Sequence, residues 1–105
     1  MVADNTTIKL IKKTAHRFLP DAEVLLFGSR ARNESYPESD YDILLVTKSN
    51  LSPKDKIQLR TSIRKSLLQS GIRSDILIQS KSEVTKKKKL PGHIVRKILS
   101  EAILL

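Results

Sequence analysis

The spacing of hydrophobic positions along the chain changes repeatedly between helical and strand-like, and this pattern predicts an α/β protein. Apolar side chains in residues 5–19 recur at helical spacing, and Pro20 ends that segment. Residues 22–27, 41–47 and 74–79 are short apolar runs bounded by turn residues, which is typical of buried strands. We therefore expect a small sheet whose strands alternate with helices.

Two further helices are indicated by their start signals. Ser52 precedes Pro53 at the start of an apolar-periodic segment, and Gly71 is its natural stop. Ser80 and Glu83 have the spacing of a capping box, which predicts a helix immediately after the third strand.

The last part of the chain, residues 94–105, combines helical spacing with a final apolar run, AILL, that predicts a short strand. This stretch serves either as part of the core or as an apolar docking face for a partner. With no repeats and no linker, we expect a single α/β domain over residues 1–105.

Composition narrows the possible functions. The 105 residues carry a net charge of +9 and contain no Cys, so disulfides, zinc–thiolate sites and cysteine catalysis are excluded. No apolar run approaches the ~18 residues of a membrane span, and the first residues do not resemble a signal peptide. We therefore expect a cytoplasmic protein that does not associate with a membrane.

Three aspartates are the strongest candidates for chemistry. Asp40 and Asp42 lie two residues apart at the start of the second strand, and Asp75 opens the third strand in the same local setting, Asp-Ile-Leu. If those strands are neighbours, three carboxylates converge at one edge of the sheet. Hard oxygen ligands suit Mg²⁺ or Mn²⁺, and two such ions can align a phosphoryl displacement. The alternative is structural: Asp40 caps a turn and Asp75 pairs with Arg73.

A second candidate lies directly after the first strand, at Gly28 and Ser29. Glycine tolerates positive φ and close approach of other groups. If residues 29–32 turn helical, their N–H groups form a phosphate cradle, and Arg30 and Arg32 add positive charge beside it.

Taken together, these residues carry a family resemblance. The stretch FGSRARNESYPESDYDILL, residues 27–45, resembles the signature of the nucleotidyltransferase superfamily that includes DNA polymerase beta. The chain is most similar to the minimal nucleotidyltransferases of bacteria and archaea, from its first helix to its terminal AILL. The resemblance implies a small mixed β-sheet flanked by helices.

The resemblance also assigns roles to the candidate residues. Gly28 and Ser29 match the residues that hold the nucleotide triphosphate, and Arg30 is expected to contact a phosphate. Asp40 and Asp42 match the pair that ligates two Mg²⁺ ions. Asp75 matches the third acid, which ligates one ion and helps to activate the attacking hydroxyl. ATP as substrate is implied by the family alone.

Larger relatives have a second domain for the acceptor, so the resemblance implies that a partner completes the site here. Minimal nucleotidyltransferases commonly pair with a helical HEPN-domain toxin and transfer AMP from ATP to one of its tyrosines, as antitoxins. The alternatives are a non-enzymatic neutraliser of a HEPN protein and a stand-alone enzyme with a small-molecule acceptor. A homo-oligomer or a hetero-oligomer is compatible with these functions.

The lysine run at residues 86–89 suggests nucleic-acid binding as a further possibility. Four successive lysines on a helix point to all sides, which argues against a single binding groove. The chain has only four aromatic side chains for stacking on bases, two Tyr and two Phe. We therefore do not expect a nucleic-acid partner.

Overall fold

The computed structural model describes residues 5–32 and 40–105. Five helices and four strands follow one another in these residues: α1 Asn5–Phe18, β1 Glu23–Phe27, α2 Gly28–Ala31, β2 Tyr41–Thr47, α3 Pro53–Gln69, β3 Ser74–Ser80, α4 Lys81–Lys87, α5 Ile94–Glu101 and β4 Ile103–Leu104. The predicted α/β class is confirmed, and the predicted strands agree with the observed ones to within a residue.

The strands form one mixed sheet in the order β3-β2-β1-β4. β1 is antiparallel to both β2 and β4, whereas β2 and β3 run parallel. Parallel strands cannot be joined by a tight turn, and here α3 makes the crossover between them. As a result, the starts of β2 and β3 lie side by side at the same edge of the sheet.

Both faces of the sheet are covered. On one face, Ile43 of β2 packs with Ile11 of α1 and Ile63 of α3. On the other face, Leu44 of β2 packs with Ile98 of α5. Alternate residues of β2 point to opposite faces, so an almost continuous apolar strand supplies both cores. Each fully buried side chain of this size stabilises the fold by roughly 1.5–3 kcal/mol.

The predicted helix starts are confirmed by their caps. The Asp55 N–H donates to Ser52 Oγ over 3.1 Å, and Pro53 is the first residue of α3. At α4, the Glu83 N–H donates to Ser80 Oγ over 3.1 Å while the Ser80 N–H donates to Glu83 Oε1 over 2.9 Å. The capping box is therefore complete.

The C-terminal stretch both contributes to the core and leaves apolar surface exposed. Val95 and Ile98 are buried, as core packing requires, whereas Ile94 and Leu104 are 64% and 65% exposed. The predicted terminal strand is confirmed as β4, which pairs with β1 over two residues.

Residues 33–39, within the signature-like stretch 27–45, lie outside the described residues. Within the described part of the chain, no helix is long and apolar enough to cross a membrane.

Candidate active site

The parallel register of β2 and β3 places two aspartates side by side. Asp42 and Asp75 are direct partners across the strands, at the edge where both strands begin. Because residues paired in this way point to the same face, both carboxyl groups project on the face that α5 covers, with the strands about 4.8 Å apart. Asp42 is partly buried and Asp75 is exposed. The predicted convergence of these two acids is confirmed.

The turn after β1 reaches the same edge. Phe27, the last residue of β1, pairs with Asp42, so Gly28 follows directly beside the Asp42 carboxyl group. Gly28 has a φ of +72°, and a Cβ atom at this position would overlap Asp42 Oδ2. Both the backbone conformation and the lack of space therefore require glycine here. The predicted helical turn is confirmed as α2, which contains Ser29 and Arg30.

The electrostatic environment of Asp42 is unfavourable for its charge. Burial raises the pKa of the Asp42 carboxyl, and the neighbouring carboxylates of Asp75, Asp40 and Glu101 raise it further. The positive charge of Arg32 acts in the opposite direction but does not outweigh them. Accumulated negative charge of this kind is what a bound cation would compensate.

Asp40 lies immediately before β2 and differs from Asp42 in its contacts. Its Oδ1 is 3.6 Å from Arg73 Nε in an ion pair between two exposed side chains. The alternative in which Arg73 pairs with Asp75 is therefore wrong: Arg73 contacts Asp40, and Asp75 makes no ion pair with a described residue.

The three carboxylates have the right chemistry for Mg²⁺ or Mn²⁺, since both ions prefer hard oxygen ligands. Within residues 5–32 and 40–105, however, no three His, Cys, Asp or Glu side chains are close enough together to hold an ion. Joint ligation by Asp40, Asp42 and Asp75 thus remains a prediction.

The two arginines of the turn have different surroundings. The Arg30 guanidinium lies over the ring of Tyr41, 4.3 Å from its centroid. Tyr41 points to the opposite face of the sheet from Asp42, so the phosphate contact expected of Arg30 stays a prediction. Arg32 instead forms a 3.1 Å ion pair with Glu101 at the end of α5.

Among the described residues, Glu101 is an acid of this neighbourhood that the sequence analysis missed. It is 59 positions from Asp42 along the chain and lies in no recognisable motif. Only the packing of α5 against the sheet brings it near enough to raise the pKa of Asp42.

The structure thus brings together an in-register pair of aspartates and a glycine-led turn on a small mixed sheet. The family model described as nucleotidyltransferase domain matches residues 8–105. The chain therefore belongs to the nucleotidyltransferase domain family.

Solved structures share the fold. One described as a minimal nucleotidyltransferase is 26% identical, with a TM-score of 0.57 over 92% of this chain and 87% of that one. A toxin–antitoxin crystal structure with AMP-PNP is 16% identical, with a TM-score of 0.60 over 91% of this chain and 69% of that one.

A double aspartate-to-glutamate variant of the toxin–antitoxin MntA–HpeT is also 16% identical, with a TM-score of 0.53 over 95% of this chain and 69% of that one. At 16% identity the likeness establishes the fold alone. No curated protein matches the sequence.

Proposed function

We propose that the protein transfers AMP from ATP to a tyrosine hydroxyl group of a HEPN-type partner and thereby acts as an antitoxin. The observation that carries this proposal is the register of Asp42 with Asp75 beside Gly28. This register puts two carboxylates next to each other, and the backbone at Gly28 lies against one of them, in a chain of the nucleotidyltransferase domain family.

The proposal gives each site residue a task. Asp40, Asp42 and Asp75 would hold two Mg²⁺ ions, with Mn²⁺ as an alternative. Bound there, the metal supplies charge neutralisation and alignment for attack on the α-phosphate of ATP.

Other residues of the chain would bind the nucleotide and accept a proton. Gly28 and Ser29 would hold the triphosphate, and Ser29 and Arg30 would contact its oxygens. Asp75, which is exposed at the sheet edge, would accept the proton of the acceptor hydroxyl as the oxygen–phosphorus bond forms and pyrophosphate leaves.

The partner is inferred from the resemblance of residues 27–45 to minimal nucleotidyltransferases. Toxin–antitoxin proteins among the structures of the same fold support it. The nucleotide is inferred in the same way, and the AMP-PNP in one of those structures supports an adenine nucleotide.

The decisive experiment incubates the protein with α-labelled ATP, Mg²⁺ and a HEPN protein, and measures label on the partner. We expect Asp42→Asn to lower transfer by about 100-fold or more, because metal stabilisation of the transition state is worth several kcal/mol. Asp21→Asn, an exposed acid after α1, is the matched control and should leave transfer unchanged.

The outcomes separate two functions. Undiminished labelling by Asp42→Asn would contradict the proposal. If Asp42→Asn loses transfer but still silences the partner in cells, neutralisation by binding becomes the better explanation. The exposed apolar side chains Ile94 and Leu104 would then be the first contacts to test.

A further inference from the structure

A basic cavity opens beside the candidate active site, between α3 and the start of β3. Its volume is about 430 Å³, enough for a few side chains of a bound segment. Its lining includes Arg60, Arg64, Lys65 and Leu68 from α3 and Asp75 and Ile76 from β3.

Three cations dominate this lining. Arg60 and Arg64 are one helical turn apart and therefore lie on the same side of α3, with Lys65 next to them. All three are exposed, and none of them forms an ion pair with another residue that the structure describes. Like charges so close together repel one another, so the cavity favours an anionic occupant.

Asp75 connects this cavity to the reaction. It lines the cavity and is also the register partner of Asp42. Because β3 is the edge strand of the sheet, a segment bound along α3 would reach the Asp75 carboxylate around that edge. Because Gly28 and α2 lie on the other side of Asp42, next to β1, the cavity belongs to the acceptor side and not to the ATP side.

The lining also indicates what kind of acceptor fits. None of the described lining residues is aromatic, so these residues offer bases nothing to stack on. Leu68 is 56% exposed and offers apolar contact among the charges. A mixture of cations and apolar surface suits a peptide with acidic side chains better than a nucleic-acid backbone.

We propose that this cavity recognises an acidic segment of the acceptor protein, adjacent to the hydroxyl that receives AMP. The inference rests on the proposed function, since it assigns the acceptor's chemistry to the same site. Arg60, Arg64 and Lys65 would select the acceptor by charge, while Asp75 meets its hydroxyl group.

A binding experiment tests the cavity separately from catalysis. The full-length Asp42→Asn variant is titrated with two fluorescent peptides, one with a tyrosine flanked by glutamates and one with the same tyrosine flanked by glutamines. We expect the acidic peptide to bind about five- to tenfold more tightly at low salt, the size of two partly exposed ion pairs, and the difference to fall as salt rises.

Two double variants with the same change in net charge test whether the preference for the acidic peptide depends on the cavity. Arg60→Gln with Arg64→Gln should remove the preference for the acidic peptide. Lys88→Gln with Lys89→Gln makes the same change in net charge at exposed positions after α4 and should preserve it. Circular dichroism confirms that both variants are folded. Equal binding of the two peptides, or equal loss in both double variants, would overturn the inference.

The peptide-binding result and the AMP-transfer result can be told apart. If the acidic preference follows Arg60 and Arg64 but no AMP reaches any acceptor, the cavity assignment holds and the transfer proposal fails. If transfer occurs without charge preference, the reverse is true. If a single-stranded RNA oligonucleotide displaces the acidic peptide and loses affinity with Arg60→Gln and Arg64→Gln, the cavity is a nucleic-acid site and the inference is wrong.

Discussion

Two carboxyl groups at opposite ends of the parallel strand pair, Glu83 and Asp42, have pKa values shifted in opposite directions. At the far end, after Ser80, Glu83 accepts hydrogen bonds from Lys56 Nζ at 2.7 Å and 2.6 Å and from the Ser80 N–H at 2.9 Å. Burial alone would raise the pKa of Glu83, but these partners outweigh it and the pKa is lowered. At the near end, the pKa of Asp42 is raised by burial and by neighbouring acids.

This difference is the one we expect between a structural carboxylate and a carboxylate that binds a metal ion. The negative charge of Glu83 is balanced by Lys56 and by the Ser80 N–H, so it stabilises the start of α4 and links α4 to α3 through the ion pair. Asp42 has its positive neighbour, Arg32, already engaged by Glu101. A site that leaves negative charge uncompensated costs stability in the free protein and gains it back when a cation binds.

The largest stability effect should come from Gly28. Gly28→Ala places a Cβ atom against Asp42 Oδ2 at a positive φ, and we expect a loss of about 2–3 kcal/mol in the free energy of unfolding. Gly92→Ala is the control, because Gly92 has the same φ of +72° with nothing within 4 Å of the added atom. Urea denaturation measures both, and equal losses would show that contact with Asp42 is unimportant.

The structural carboxylate comes next. Glu83→Gln weakens the capping box and removes the ion pair with Lys56, so we expect a loss of about 1 kcal/mol. The same unfolding measurement in Lys56→Gln should show a similar loss, and the double variant should lose less than the sum. Strict additivity would show that the two side chains are not coupled.

Asp42, the proposed metal ligand, should change stability in the opposite direction. Asp42→Asn removes the repulsion from Asp75 and Asp40, so stability without metal should rise by about 1 kcal/mol or less. Addition of Mg²⁺ should stabilise the wild type more than the variant. A clear loss of stability in metal-free Asp42→Asn would contradict the picture of an uncompensated charge.

The smallest effect is the pH dependence, and the two carboxylates predict opposite signs. Because the pKa of Asp42 is raised, its ionisation costs stability as the pH rises above the ordinary aspartate value of about 3.9. The advantage of Asp42→Asn should therefore vanish in acid and grow above that pH.

Because the pKa of Glu83 is lowered, its contribution is complete above the ordinary glutamate value of about 4.3 and is lost as the pH falls through its lowered pKa. The deficit of Glu83→Gln should therefore be largest at neutral pH and shrink in acid. Unfolding curves at several pH values test both predictions. If the stabilities of the two variants relative to the wild type changed with pH in the same direction, the contrast between Asp42 and Glu83 would be wrong.

The sequence by itself determined the local elements. Ser52, Pro53, Ser80 and Glu83 act within one helical turn, so their caps can be read from spacing alone. Apolar runs bounded by turns likewise predicted the strands, and the motif from Gly28 to Asp42 indicated the family, because these signals depend on near neighbours.

Only the tertiary structure decided which elements meet. The sheet order β3-β2-β1-β4 and the register of Asp42 with Asp75 depend on packing between distant segments. The pairing of Arg73 with Asp40, the approach of Glu101 and the basic cavity beside Asp75 have the same origin. Contacts across many positions are set by how both faces of the sheet are buried, and no local pattern specifies them.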